Sequence, residues 1–178
     1  DSAGGDSNQD GRNSHPQPGS WGGISVESGG SLQANDYADF RYLQVTHAGT
    51  LVENETWYGT FTHWITNDVI VPSGLTLTIL PGAVVKFDRG FGLEVETGGR
   101  LVAQGSVARP IVFTSIRDDS AGGDTNSDGP ETVPSAGDWK SIYFYGGQGD
   151  LDHCRIIFGG GPAEGGWGTG KGALMASR

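Results

Sequence analysis

The chain has 178 residues, which is enough for one domain or for part of a repeat array. Its 32 glycines follow no Gly-X-Y period, which excludes collagen, and 35% hydrophobic beside 18% charged residues excludes a highly charged disordered chain. A net charge of −10 argues against nucleic-acid binding, which needs a positive face, and is compatible with cation binding.

The chain opens with an acidic, glycine-rich loop that recurs 118 residues later. Residues 1–24 and 119–142 align without a gap, and 13 of the 24 positions are identical. A repeat of this kind predicts a modular architecture. Because residue 1 already lies inside the first copy, we expect the 178 residues to be part of a longer repetitive protein.

The middle of the chain has a shorter period of eight residues. Gly74, Gly82, Gly90 and Gly98 recur at this spacing, and short runs of alternating apolar residues lie between them. Alternation with a period of two indicates strands, and the glycines indicate turns. The side chains expected to point into a shared core are Leu77, Ile79, Val85, Phe87, Leu93, Val95, Leu101, Ile111, Phe113, Ile142, Phe144 and Ile156.

Strands and turns that alternate at about eight residues fit two architectures. One is an antiparallel sandwich or barrel, and the other is a parallel β-helix in which three short strands make one coil of about 24 residues. The turns are single or paired glycines rather than the Asn-Gly or Asp-Gly of tight hairpins, and the strands are uniformly short. The long loop also recurs ahead of a similar strand pair. These features favour the β-helix.

The run at 74–87 and its continuation at 99–115 resemble the coils of bacterial extracellular right-handed parallel β-helix proteins, which have the pectate-lyase-like fold. In that family an acidic Gly-Asp-x-Asn-x-Asp-Gly loop and a Gly-Asp-Trp element often follow, as residues 123–129 and 137–139 do here. The resemblance implies an all-β, right-handed parallel β-helix (a solenoid) with long acidic side loops, in an extracellular or cell-surface protein. It identifies no activity, because the fold hosts lyases, hydrolases, adhesins and passive stalks.

The repeat and the resemblance together divide the chain into three predicted regions. Residues 1–54 are predicted to be the terminal coils of a preceding β-helix module, and residues 55–73 a crossover or cap segment. Residues 74–178 are then a second module, with a calcium-type loop inserted at 117–138. Four aromatic residues of the crossover either cover the open end of the core or stack on sugar rings: Trp57, Tyr58, Phe61 and Trp64.

The acidic loop places oxygen ligands at a spacing that suits calcium. Asp124, Asn126 and Asp128 alternate ahead of Gly129, as in the first half of a helix-loop-helix calcium loop. Ser135 stands where that motif needs a glutamate, and the flanks resemble strands, so we expect a site on a side loop instead. The alternative is that these residues only make turns, but four acids within residues 118–128 would repel one another without a cation. The predicted calcium ligands are Asp119, Asp124, Asn126, Asp128 and Asp138 in the second copy, and Asp1, Asp6, Asn8 and Asp10 in the first.

Two cations are candidates for the base of a polysaccharide lyase, because lyases on this fold use a lysine or an arginine beside acidic residues that hold calcium. They are Lys140 and Arg155, each with aspartates nearby in the sequence. The competing interpretation is a surface lysine or a structural ion pair, since proximity in sequence does not establish the geometry that a base requires.

The function favoured by these observations is a non-catalytic extracellular or cell-surface repeat protein, structural or adhesive, that calcium stabilises as a stalk or filament subunit. Its expected partners are copies of itself, neighbouring repeats and surface glycans. No nucleic-acid partner is expected, nor a membrane span, because the apolar runs are far shorter than about 18 residues. The alternative is a polysaccharide-binding module, or a polysaccharide lyase or hydrolase on a β-helix. In that case Tyr143 and Tyr145, which are predicted to face outward, would contact glycan.

Overall fold

The computed structural model of the chain describes residues 44–161 and 172–177. These residues form strands joined by turns and loops and contain no helix, so none of them belongs to a helix able to cross a membrane. The strands are β1 (Gln44–Thr50), β2 (Glu55–Trp57), β3 (Thr62–Val71), β4 (Thr76–Ile79), β5 (Val84–Phe87), β6 (Leu93–Glu96), β7 (Arg100–Gln104), β8 (Ile111–Ser115), β9 (Ile142–Tyr145), β10 (Gln148–Asp152), β11 (Cys154–Ile156) and β12 (Leu174–Ser177).

Every pairing between these strands is parallel, which confirms the all-β prediction and removes the antiparallel sandwich for this part of the chain. Four strands form one sheet, in the order β10-β7-β4-β2, and the other eight strands form a second sheet. The long strand β3 pairs with β5 through its first half and with β6 through its second half. In both the β4–β7 and the β3–β6 pairs, partner residues are 24 positions apart, whereas in the β2–β4 and β3–β5 pairs they are 22 positions apart.

The hydrophobic core consists of the inward-facing side chains of both sheets. Eleven of the twelve predicted core residues are buried, with 7% exposure or less, and Ile156 is partly buried and packs against them. Burial of each large apolar side chain contributes roughly 1.5–3 kcal/mol. Trp57 and Trp139, which were not predicted to be core residues, are also buried in the cluster.

The glycines of the eight-residue period lie in turns, as the sequence predicts. Gly74, Gly82, Gly90 and Gly98 all have positive φ angles, between 82° and 89°. A side chain in this region costs roughly 1 kcal/mol, so glycine is the residue that lets the chain turn from one strand to the next.

One corner of the strand stack accommodates connections of very different length. Because β5 pairs with β8 and β6 pairs with β9, the β5–β6 and β8–β9 connections span the same corner. The first has five residues (88–92) and the second has 26 (116–141). The second copy of the acidic loop lies in this longer connection.

The predicted crossover, residues 55–73, contains β2 and β3, and both strands pair with the strands that follow. Most of the predicted first region, residues 1–54, lies outside the described residues.

Candidate metal centre

The acidic loop lies on the outer side of β5 and β3. Val85 and Phe87 point into the core, so Lys86 between them points outward, and yet it is fully buried. Its ammonium donates a hydrogen bond to the carbonyl oxygen of Gly123 in the loop. The neighbouring Gly122 has a φ of 69°, and a side chain there would collide with Thr62 on β3. The loop is therefore fixed to the sheet by a close approach of its backbone and by one buried lysine.

Three of the predicted ligands converge in this loop. The carboxylates of Asp119, Asp124 and Asp128 each offer an oxygen, and these oxygens lie within 4.8 Å of one another. Asp124 accepts hydrogen bonds from the backbone amides of Asp128 (3.2 Å) and Gly129 (2.9 Å), which bends the loop so that the carboxylates meet.

The fourth predicted ligand, Asn126, lies in the same cluster. Its amide nitrogen donates to Oδ2 of Asp128 at 2.8 Å, and the Thr132 hydroxyl donates to the same oxygen at 2.5 Å. These bonds orient the two side chains and leave Oδ1 of Asn126 and Oδ1 of Asp128 without a donor.

Three oxygen atoms of this cluster are buried and have no hydrogen-bond donor: Oδ1 of Asp119, Oδ1 of Asn126 and Oδ1 of Asp128. A buried acceptor without a partner costs about 1–3 kcal/mol, and more when it is charged. Calcium binds carboxylate and amide oxygens and tolerates irregular geometry, so it fits this donor set better than zinc or copper does.

The charges of the cluster perturb one another. Burial raises the pKa of Asp119, and repulsion from Asp124 raises it further, while Lys86 opposes the shift. Burial lowers the pKa of Lys86 to about 8, although Asp119, Asp118 and Asp124 favour its charged form. Lys86 is therefore still mostly charged at neutral pH. Nothing in the sequence singled out this lysine, because its partners come from a loop 37 residues later.

Asp138, another predicted ligand, is not part of this cluster. Its Oδ2 accepts hydrogen bonds from the Ser115 hydroxyl (2.8 Å) and the Ser135 amide (3.0 Å). Its Oδ1 accepts from the Ser135 hydroxyl (3.0 Å) and lies 3.6 Å from the Arg117 guanidinium. Burial alone would raise the pKa of Asp138, but these hydrogen bonds and Arg117 outweigh it and lower that pKa. Asp138 therefore joins Ser115 on β8 to Ser135 near the end of the loop.

The predicted ligands of the first loop copy lie outside the described residues: Asp1, Asp6, Asn8 and Asp10.

The two lyase-base candidates lie in different surroundings. Lys140 is buried, and its ammonium lies 2.7 Å from Oδ2 of Asp68. The other oxygen of Asp68 accepts a hydrogen bond from the Gly92 amide, so Asp68 on β3 contacts both the β5–β6 and the β8–β9 connection at the corner that they share. Arg155 is exposed on β11. Of the two aspartates near it in the sequence, Asp150 contacts Arg100 and Gln104, and Asp152 contacts His153.

The predicted outward tyrosines differ in exposure. Tyr145 is 56% exposed, whereas Tyr143 is buried, and their ring centroids are 6.1 Å apart. A flat surface of two exposed tyrosine rings is therefore not present.

A stacked aromatic cluster, which the sequence did not predict, joins β1, β2 and β3. His47 stacks on Trp57 with ring centroids 4.0 Å apart, and its Nε2 lies 2.9 Å from Nδ1 of His63. His63 Nε2 is 3.0 Å from the Tyr58 carbonyl oxygen and must donate to it, so the Nδ1 of the neutral ring accepts from His47. The remaining His47 nitrogen lies 3.9 Å from Glu55 Oε2.

The burial of this pair keeps both imidazoles neutral. Desolvation lowers the pKa of His47 to about 3, and the repulsion that His47 would meet from a protonated His63 adds to the shift. Desolvation also lowers the pKa of His63 to about 4, although its hydrogen bond to Tyr58 opposes the shift.

Comparison of the chain with family models, with curated proteins and with solved structures finds no match.

Proposed function

We propose that this chain is a non-catalytic extracellular or cell-surface repeat protein that calcium stabilises through its acidic side loop. The observation that carries the proposal is the set of three buried, donor-free oxygens of Asp119, Asn126 and Asp128. A cation held by the converging carboxylates, whose oxygens lie within 4.8 Å of one another, would relieve the repulsion among them.

The fold that we propose for the chain is a right-handed parallel β-helix. From β4 onward, each strand pairs in parallel with the strand three elements later, as expected when three strands make one coil. Parallel strands joined by crossover connections are almost always right-handed, which supports this hand. The resemblance of residues 74–87 and 99–115 to bacterial extracellular β-helix proteins supports the same fold and the proposed location.

The role as a stalk or filament subunit draws support from the end of the stack at β10. This strand is at one edge of the four-stranded sheet. Beside it lies an open, mainly apolar cavity of about 490 Å³, lined among others by Phe144, Leu151 and Leu174. Apolar surface at a sheet edge favours contact with a further strand, so copies of the chain or neighbouring repeats are the proposed partners.

The catalytic alternative receives less support from the same residues. A general base must reach a substrate proton, whereas the Lys140 ammonium is buried against Asp68. Glycan binding through a tyrosine pair is likewise weakened by the burial of Tyr143.

The decisive experiment is calcium titration by calorimetry, combined with thermal unfolding in calcium and in excess chelator. Calcium at about one hundred times its dissociation constant should stabilise the fold by about 2.7 kcal/mol, which corresponds to a rise in Tm of roughly 5–10 °C. An unchanged Tm in excess chelator would refute the structural role of calcium.

Asp119→Asn is the sharpest variant for this test, because Oδ1 of Asp119 is without a donor and the change removes a ligand charge. We expect calcium affinity to fall by about tenfold or more. Glu131→Gln is the matched control, since Glu131 is an exposed acid of the same loop. Equal calcium affinity in the two variants would contradict the assignment of the site.

A further inference from the structure

Lys140 and Asp68 form an ion pair between residues that are 72 positions apart in the chain. The Lys140 ammonium lies 2.7 Å from Oδ2 of Asp68, and the exposed fractions of the two side chains are only 8% and 23%. Because Oδ2 is bonded to Cγ, the amine also lies beside the carbon of the carboxyl group. The pair therefore places a nucleophile next to an electrophilic carbon at a site that is shielded from solvent.

Backbone hydrogen bonds hold both partners in this position. The Lys140 amide donates to the Phe91 carbonyl oxygen at 2.8 Å, and the Lys140 carbonyl oxygen accepts from the Gly160 amide at 2.7 Å. Oδ1 of Asp68 accepts from the Gly92 amide at 2.9 Å. An amide in this place would stabilise the negative charge that develops on Oδ1 when the carbon is attacked, as the donors of an oxyanion hole do.

A third carboxyl group, that of Glu94, faces the same side of the sheet. Both neighbours of Glu94 on β6 are buried in the core, so Glu94 points outward. Asp68 on β3 precedes the buried Val69 and also points outward. Strand β6 lies between β3 and β9, and Lys140 is two residues before β9. Burial raises the pKa of Glu94, and the neighbouring carboxylates raise it further, while Lys140 opposes the shift. A carboxyl group that takes up a proton readily is suited to proton transfer.

We propose that Lys140 and Asp68 are a modification site, at which an amide bond forms between Nζ of the lysine and Cγ of the aspartate. In this step Nζ attacks Cγ, the bond from Cγ to Oδ2 breaks, and Oδ2 leaves as water. Of the protons on the ammonium, one stays on the amide nitrogen and the other two leave with Oδ2. The first crosses the ion pair directly, and Glu94 carries the second. The step needs no oxidant, reductant or further reactant.

The folded chain favours this bond by proximity. Water opposes the condensation of a free acid with a free amine, but groups that are held in the right orientation react with effective concentrations of about 10⁵ M or more. The bond would join β3 to the connection before β9 across the intervening β6, so the three neighbouring strands would resist separation. The inference does not depend on the proposed calcium site, because neither residue belongs to the acidic cluster of Asp119, Asp124 and Asp128.

Mass spectrometry of the whole chain tests the bond, because its formation removes one water molecule. Most of the wild-type chain should be lighter than its sequence mass by one water. Proteolysis and tandem mass spectrometry should then recover a branched peptide that joins residue 68 to residue 140. Lys140→Arg keeps the positive charge beside Asp68 but offers no nucleophilic amine, so it should have the full sequence mass. Lys86→Arg is the matched control at another buried lysine, and it should keep the loss of water.

The role of Glu94 has its own pair of variants. Glu94→Gln should slow formation of the bond by about a hundredfold or more, because the glutamine cannot carry a proton. Glu96→Gln, a change at the next outward acid of β6, should leave the cross-linked fraction unchanged. Equal cross-linked fractions in these two variants would refute the part assigned to Glu94.

A wild-type chain of full sequence mass would overturn the proposal. So would a loss of water that persists in Lys140→Arg without a branched peptide, because it would indicate a dehydrated aspartate elsewhere in the chain. The branched peptide is sought in the wild type itself, so the result does not depend on the folding of any variant. Failure to bind calcium would refute the proposed function and leave this bond unaffected.

Discussion

The indole of Trp139 lies flat on the ring of Phe87, with centroids 4.2 Å apart and ring planes 8° from parallel. Phe87 ends β5, whereas Trp139 comes from the long connection that precedes β9. The indole is fully buried, and its Nε1 donates to the Ile157 carbonyl oxygen at 2.9 Å. One side chain therefore anchors the end of the acidic loop in the core.

Replacement of Trp139 by alanine should cost about 3–5 kcal/mol of unfolding free energy, because it leaves a cavity beside Phe87 and removes the bond to Ile157. Urea unfolding followed by far-UV circular dichroism measures the loss. Tyr145→Ala is the control: that side chain is 56% exposed, and its removal should change stability by about 0.5 kcal/mol or less. A loss below about 1 kcal/mol at Trp139 would mean that the stack contributes little.

Asp138→Asn should destabilise the fold but leave calcium binding intact. The asparagine cannot accept all the hydrogen bonds from Ser115 and Ser135, so we expect a loss of about 1–3 kcal/mol in urea unfolding. Calcium affinity, measured by calorimetry, should stay within about twofold of the wild type, because the Asp138 carboxylate is already occupied. A large drop in calcium affinity would instead indicate that Asp138 is a calcium ligand. Asp152→Asn, a change at an exposed acid, should alter neither quantity.

The stability of the fold should fall as the pH decreases from about 6.5 to 5, because His47 and His63 bind protons in the unfolded chain but not in the folded chain. The pKa of His47 is lowered from 6.5 to about 3 and that of His63 from 6.5 to about 4. Their contribution is complete above pH 6.5 and is lost as the pH falls below it. Urea unfolding across this range should give a slope approaching two protons.

The variant His47→Gln should reduce this slope to about one proton, whereas His153→Gln should leave it unchanged, because His153 lies on the surface beside Asp152. A wild-type slope near zero between pH 6.5 and 5 would show that the His47–His63 pair is protonated in the folded state.

The strands and turns were predictable because their signals are local. Leu77 and Ile79 alternate with polar residues, and Gly74 and Gly82 fall where the backbone needs positive φ angles. The convergence of Asp124 and Asp128 was likewise predictable, since an Asp-Gly loop bends upon itself over few residues.

The features that escaped prediction depend on contacts between residues far apart in the sequence. Lys86 looks like an ordinary outward lysine until the loop around Gly123 covers it. The His47–His63 pair forms only because β1 and β3 lie side by side. The hydrogen bond between Ser115 and Asp138 likewise joins two residues 23 positions apart.

At the corner between the β5–β8 and β6–β9 pairs, the length of the connection does not affect the pairing of the strands that it joins. Five residues join β5 to β6 at this corner, and 26 residues join β8 to β9. The parallel pairing of β6 with β9 is nevertheless unbroken. Polymer theory sets the extra closure entropy at only about 1.5 kcal/mol, since it grows with the logarithm of loop length. Segments of foreign sequence could therefore be grafted at this corner, and a binding loop placed there would inherit a rigid frame at little thermodynamic cost.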